Sequence, residues 1–157
     1  MRLRRVVKKA LGLRSERGAA LAEFALVVPF LMIMMCATID FGLAVYTLNN
    51  LTAAVREGGR FAATLPKTSP PLANDTRVRD RVYQYIVGIN TGGLTAQDVK
   101  NLITVTPPAA PYTPPNDLIT VQIRNFPFRP MTPLAPLINM TQINLNRTAV
   151  FRWEMAN

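Results

Sequence analysis

Residues 19–39 read AALAEFALVVPFLMIMMCATI, a run of 21 residues with a single charged side chain, that of Glu23. A helix needs about 20 predominantly apolar residues to cross roughly 30 Å of hydrocarbon. Seven of the 18 Lys and Arg residues lie before the run, within residues 1–17, beside one acidic residue. Because clustered Lys and Arg keep a flanking segment in the cytoplasm, the sequence predicts a single-pass membrane helix with an extracytoplasmic C-terminal side.

The net charge of +9 is concentrated at the start of the chain, where residues 1–17 carry +6. The remaining 140 residues hold 11 basic and 8 acidic side chains. Such a balanced body does not present the basic face that neutralises phosphates. We therefore expect no nucleic-acid partner.

The residue inventory excludes most catalytic chemistry. Histidine is absent and cysteine occurs once, as Cys36, which removes His-based acid–base catalysis, His-ligated metal sites and an internal disulfide. The carboxylates beyond the apolar run are scattered, and the chain has no glycine-rich phosphate loop. The sequence predicts an interaction protein, not an enzyme, with no catalytic residues, no cofactor and no metal site.

A cleaved secretory signal would also combine a basic start with an apolar run. This run lacks a small-x-small site followed by polar sequence, and Cys36 follows two methionines, a poor context for lipid attachment. We expect the run to stay in the protein. Within it, Pro29 removes a backbone donor and crowds the carbonyl of Ala25, which predicts a kink or a locally melted turn. That turn is either a flexible point used when the helix leaves lipid or an ordinary kink.

Glu23 is unfavourable in this position, since a carboxylate near the centre of a membrane helix raises the free energy of insertion by about 2.5–3.5 kcal/mol. Gly18 lies between the basic residues and the apolar run. Cleavage after Gly18 would give Ala19 a new ammonium group, which could pair with Glu23 in the same chain or in a neighbouring one. The alternative is that the Glu23 carboxylate reaches the cytoplasmic interface and does nothing further.

Gly18, followed by four small or apolar residues, Glu23 and the aromatic Phe24, is similar to the processing site of type IV pilin precursors of the Tad (tight adherence, Flp) class. The chain resembles TadE-like minor pilins, or pseudopilins, in EFALVVP (23–29), IDFG (39–42) and LTAAVREGGRFAA (51–63). Beyond about residue 64 the resemblance is limited to strand-like runs and the ending TAVFRWE (148–154). Phe24 stands where major pilins of this class usually carry Tyr, which favours a minor subunit.

The resemblance implies cleavage by a prepilin peptidase between Gly18 and Ala19, and a role for Glu23 and Phe24 in assembly register. The implied partners are other pilins and pseudopilins, the prepilin peptidase, the pilus assembly platform and the membrane. The implied location is the bacterial inner membrane, with a cytoplasmic N-terminus and a periplasmic C-terminal domain; the filament, its tip and the basal machinery all stay open as final places. The alternative of another class is an unprocessed, single-pass, membrane-anchored binding protein of the envelope.

The helical pattern continues past the membrane run to about residue 65, with apolar residues at spacings of three and four. Glu57 and Arg60 form a plausible i,i+3 ion pair on its polar side. Gly58 and Gly59 lie among alanines, which favours close helix packing over a merely loosened helix. The helix-packing candidates are Pro29, Gly42, Gly58 and Gly59.

The sequence after the helix predicts a small α+β domain with one helix and an antiparallel sheet of about three strands. The chain thus divides into a basic leader (1–18), a pilin-like transmembrane and amphipathic helix (19–65) and an extracytoplasmic domain (66–157). Prolines at 66–71 end the long helix.

Within the domain, Asn74 or Asp75 can cap a helix that reaches about Val87. Its expected apolar side is Val78, Val82, Tyr85 and Ile86, and its arginines 77, 79 and 81 are expected to be solvated. Thr95 and Asp98 resemble a capping box. Strands are predicted at 102–106, 118–125 and 142–153. The proline-dense segment 126–136 is either a stiff loop laid over the sheet or a docking peptide.

Overall fold

The computed structural model describes residues 3–89, 91–110, 116–133, 136, 139 and 141–154, with side chains described from residue 18 onward. In that part of the chain the elements are α1 (Leu3–Ala63), α2 (Thr76–Ile86), α3 (Ala96–Asn101), β1 (Ile103–Thr106), β2 (Leu118–Phe128) and β3 (Ile143–Arg152). A long helix followed by a small helix-and-sheet domain confirms the predicted α+β class.

Helix α1 is longer than predicted at its start, since it already begins at Leu3 and runs for 61 residues. It continues through Pro29 without interruption, so of the two predicted alternatives, a kink or a locally melted turn, the melted turn is absent. The helix ends at Ala63, shortly before Pro66, because proline disfavours the helical conformation of the residue that precedes it.

Helix α2 is capped as the sequence predicts. The Asp75 carboxylate accepts a hydrogen bond from the backbone N–H of Arg77 at 3.0 Å, which satisfies a donor that the first helical turn leaves free. One face of α2 is buried, through Val78, Val82 and Ile86. Tyr85 was expected on this face but is 45% exposed. The short helix α3 has the predicted capping box between Thr95 and Asp98.

The three strands form one antiparallel sheet in the order β1-β2-β3. Along β2, Ile119, Val121 and Ile123 are buried. The residues between them are only partly buried, as expected for a sheet with one solvated face. The predicted alternation of this strand is confirmed.

Strand β2 extends three residues beyond the predicted end at Asn125, past a β-bulge that interrupts its alternation. Ile123 pairs with Arg147 and Phe126 pairs with Leu145, so β2 has one extra residue between these pairs. Asn125 adopts a positive φ of 55° there. After the bulge Phe126 and Phe128 are buried in the strand, so the first three residues of the predicted loop 126–136 belong to the sheet instead.

The core lies between the sheet and the C-terminal half of α1, with α2 packed beside them. Its α1 residues include Leu51, Ala54, Val55 and Ala62. At the end of this layer, the Trp153 indole N–H donates to the carbonyl of Leu65 at 2.7 Å, and the bond is buried. The chain just beyond the end of α1 is therefore fixed to the residue that follows β3.

The three arginines of α2 do not simply point into solvent, contrary to the expectation. Arg77 pairs with the capping Asp75 at 2.7 Å and donates to the Ser69 hydroxyl at 2.8 Å. The Arg79 Nε donates to the carbonyl of Ile103 at 2.9 Å. Arg81 pairs with Glu57 at 2.9 Å. Each guanidinium thus ties the helix or its cap to another part of the domain.

Candidate functional site

The described part of α1 divides into an exposed segment and a packed segment. None of the residues 18–46 is buried, and the first buried residue is Thr47. We call residues 18–39 the projecting segment, because Asp40, Leu43 and Ala44 already contact the domain. At 1.5 Å per residue it is about 33 Å long, of which the apolar run 19–39 takes about 31 Å.

The projecting segment is apolar around its whole circumference. Residues 30–35 are all exposed, and six successive residues cover every direction around a helix with 3.6 residues per turn. Large apolar side chains between 46 and 80% exposed are Leu21, Phe24, Leu26, Val27, Phe30, Leu31, Met32, Ile33, Met34, Met35 and Ile39. Helices that are apolar on all sides are covered by a core or by lipid. By length and composition, Gly18–Ala63 contains a helix able to cross a membrane, which fits a single-pass anchor.

The predicted cleavage and register residues all lie on the projecting segment. Gly18, Ala19, Glu23 and Phe24 are exposed. A Cβ placed on Gly18 would have no other contact within 4 Å. Glu23 forms no salt bridge with any residue whose side chain is described. The one carboxylate inside the apolar run therefore lacks a described cation, although peptide cleavage and assembly register stay predictions.

Asp40 marks the junction between the apolar run and the domain. Its carboxylate accepts hydrogen bonds from the backbone N–H groups of Met131 and Thr132, at 2.9 and 3.2 Å, and from the Thr132 hydroxyl. The sequence places Asp40 at the end of the run, within IDFG, but gives no sign of partners 91 and 92 residues away. We call this contact the Asp40 clasp.

Glu57 joins the packed segment of α1 to α2. Its carboxylate accepts from Arg60 at 3.0 and 3.1 Å, as predicted from the i,i+3 spacing, and from Arg81 at 2.9 Å. These two hydrogen-bonded guanidinium groups, Arg60 first, lower the pKa of Glu57 to about 2. The carboxylate is therefore ionised at neutral pH and holds both cations.

The packing glycines fall into two groups. A Cβ on Gly58 would overlap the Val82 side chain of α2, and a Cβ on Gly59 would overlap the Phe151 ring of β3. Both glycines thus allow α1 to approach its own domain. In contrast, a Cβ on Gly42 would have no contact within 4 Å, and Pro29 is exposed. Packing of Gly42 and Pro29 against another chain stays a prediction.

Among the residues described, no group of three or more His, Cys, Asp or Glu side chains could hold a metal ion. The described side chains of the projecting segment are apolar apart from Glu23, the Thr38 hydroxyl and the Cys36 thiol. Its chemistry is that of a surface that partitions into lipid or packs against other apolar helices.

Comparison with known proteins gives one family, whose model, described as TadE-like protein, matches residues 18–60. No curated protein and no solved structure matches the chain. The matched residues include the whole projecting segment and both packed glycines. The predicted resemblance is therefore confirmed, and over residues 18–60 the chain is similar to the TadE-like family.

Proposed function

We propose that this protein is a minor pilin, or pseudopilin, that takes part in assembling a Tad-type adhesion pilus. The match to the TadE-like family indicates a Tad pilus-associated protein and argues for a structural role instead of an enzymatic one. The observation that carries the proposal is the projecting segment, which is apolar on all sides and unburied from residue 18 to residue 39.

The surface of the projecting segment is suited to two successive environments, the bilayer and the filament. In the precursor, about 31 Å of apolar helix matches the hydrocarbon thickness of a bilayer. In a filament, the same surface would pack against the apolar helices of other pilins. The basic residues before Gly18 favour a cytoplasmic N-terminus and a periplasmic domain in the inner membrane.

Processing after Gly18 by a prepilin peptidase belongs to the same proposal. Gly18 has an unobstructed backbone on one side, and glycine permits a close approach of another backbone. The new ammonium group of Ala19 would supply the cation that Glu23 lacks among the described side chains.

The test is the intact mass of the protein recovered from membranes of cells that carry the prepilin peptidase. A chain that has lost residues 1–18, and so retains 139 of the 157 residues, supports the pilin assignment. A full-length chain in the same membranes supports the alternative, an unprocessed anchor that binds envelope components.

Gly18→Val provides the matched variant. The added side chain is expected to block cleavage without changing insertion, because the basic residues and the apolar run are intact. If Gly18→Val is trimmed as efficiently as the wild type, the peptidase does not cut after residue 18.

A further inference from the structure

The surface of the small domain nearest the projecting segment is built from three parts of the chain. Residues of α1 just beyond Asp40, residues that follow α2, and the end of β2 enclose a cleft of about 190 Å³. Its apolar lining includes Leu43, Tyr46, Ile89, Phe128 and Met131. We call this surface the membrane-proximal base.

The membrane-proximal base leaves large apolar side chains in the open. Met131 is 69% exposed, Tyr46 is 59% exposed, and Val87, which adjoins the cleft residue Gly88, is 64% exposed. Exposed apolar side chains grouped on a folded domain are typical of a surface that another phase or molecule covers. The membrane-proximal base has this character.

The Asp40 clasp fixes the height of this surface along the helix. The Asp40 carboxylate holds the backbone N–H groups of Met131 and Thr132. Asp40 directly follows the apolar run, whose 21 residues span about 31 Å and so match the hydrocarbon layer. Met131 consequently lies at the level where the hydrocarbon ends. Tyr46 lies six residues further on, about 9 Å along the axis, at the level of the headgroups.

Arg129 adds a positive charge to the same surface. It lines the cleft beside Met131 and is exposed. It forms no salt bridge with any carboxylate in the described part of the chain. A cation at this height lies where lipid phosphates are found, and anionic bilayers attract basic residues close to the surface.

We propose that the membrane-proximal base rests on the phospholipid bilayer from which α1 emerges. Met131 enters the upper acyl region, the Tyr46 ring lies among the headgroups, where aromatic side chains concentrate, and Arg129 lies beside lipid phosphate. This inference rests on the proposed membrane-spanning role of residues 19–39, because the height of the base is set by that span. It assigns the bilayer as a second support for the domain, besides its covalent link to the helix.

The test is fluorescence quenching by brominated lipids of the full chain in phosphatidylcholine–phosphatidylglycerol vesicles. Trp153 is the only tryptophan in the sequence and is buried beside Leu65, about 37 Å along α1 from Asp40. It therefore serves as an unquenched internal reference. Met131→Trp probes the base. Leu118→Trp is the matched control, since Leu118 is 41% exposed and pairs with Arg152 at the Trp153 end of the sheet.

We expect the emission added by Met131→Trp to be quenched at least about twofold more than that added by Leu118→Trp, because only the base reaches the interface. Combining Met131→Trp with Arg129→Glu should reduce this quenching in vesicles that contain phosphatidylglycerol. Equal quenching of Met131→Trp and Leu118→Trp would overturn the inference. A blue-shifted but unquenched Met131→Trp emission would also overturn it, since a protein, such as a second copy of this chain, would then cover the base.

Phe30→Trp separates this inference from the proposed function. Phe30 lies in the middle of the apolar run and is 63% exposed. If Phe30→Trp is quenched and Met131→Trp is not, residues 19–39 span the bilayer but the domain does not rest on it. If Phe30→Trp is not quenched, the span itself is wrong and the inference fails with it.

Discussion

Glu23 is a carboxylate within the apolar run, where an unpaired charge is unfavourable. It has no salt-bridge partner among the described side chains. We expect Glu23→Ala to insert and to be trimmed after Gly18, because Gly18 and the basic residues are unchanged. We also expect it to lose association with partner pilins, since the carboxylate can no longer pair with a cationic N-terminus. Crosslinking in membranes followed by pull-down measures that association.

Glu23→Asp is the control for this experiment, because it keeps the charge with a shorter side chain. Partner recovery is expected to be higher for Glu23→Asp than for Glu23→Ala. Undiminished recovery of partners with Glu23→Ala would show that Glu23 does not set assembly register.

Gly59 has no Cβ, and this allows α1 to pack closely against the Phe151 ring of β3. Gly59→Ala places a Cβ on the Phe151 ring, and such overpacking is expected to destabilise the domain by about 1–3 kcal/mol. Gly42→Ala is the matched control on the same helix. It meets open space and should be neutral or stabilising by up to about 1 kcal/mol. Chemical denaturation of the full chain in detergent micelles, followed by Trp153 emission, measures both.

The result also locates the role of the packed glycines. A stable Gly59→Ala domain that fails to join other pilins would assign Gly59 to contacts between subunits. Loss of domain stability, rescued by a smaller side chain at Phe151, would assign it to the fold.

At the scale of elements, Glu57 couples α1 to α2 through Arg60 and Arg81. The pKa of Glu57 is lowered from 4.5 to about 2 in the folded chain. Its contribution to stability is therefore complete above about pH 4.5 and is lost as the pH falls towards 2, because the unfolded chain binds the proton first. Asp75 and Asp98 have lowered pKa values as well, through hydrogen bonds from Arg77 and Thr95 respectively, and add to the same acid sensitivity.

Glu57→Gln isolates the contribution of this carboxylate. Between pH 4.5 and 2, unfolding of the wild type is expected to take up close to one more proton than unfolding of Glu57→Gln. The unfolding free energy of the variant should therefore change less steeply with pH than that of the wild type. The matched control is Glu154→Gln, at an exposed position after β3. An identical slope in the wild type and Glu57→Gln would contradict the ion-pair description.

Strand β2 shows why element boundaries were harder to predict than element types. The alternation of Ile119, Val121 and Ile123 is visible in the sequence, but it stops at Asn125. The bulge adds one residue, and beyond it Phe126, Pro127 and Phe128 are all buried, so the alternation does not continue. The proline at 127, which argues against a strand in sequence alone, lies within β2 beyond that bulge. The bulge depends on pairing with β3, and so on contacts that no local pattern contains.

At the scale of the whole molecule, the fold and the anchor are two separable parts. No described residue before Thr47 is buried, so removing residues 1–37 takes away none of the described core while keeping Asp40. We expect a chain of residues 38–157 to stay in aqueous solution without detergent and to unfold within about 0.5 kcal/mol of the full chain, as for changes remote from a core. Denaturation curves of the two chains, with circular dichroism, provide the comparison. A molten or aggregated short chain would show that the projecting segment supports the domain.

The same division explains what the sequence could reveal. The apolar run, the caps at Asp75 and Thr95 and the Glu57–Arg60 pair depend on neighbours within a few residues, and all were predictable. The Asp40 clasp, the Glu57–Arg81 bridge and the contact of Gly59 with Phe151 join residues far apart in the chain. Their partners became visible only once the helix and sheet were placed together. The predicted solvation of the α2 arginines missed the contacts of Arg79 and Arg81 for the same reason.

The two ends of the contact between α1 and the domain have a mechanical consequence. The Asp40 clasp fastens one end, and the bond from Trp153 to the Leu65 carbonyl fastens the other, about 37 Å away along the helix. A force that pulls the anchor along its axis therefore loads both attachments in parallel, in shear, and cannot peel the domain open from one end. Resistance to tension is thus shared by all the contacts between Asp40 and Leu65.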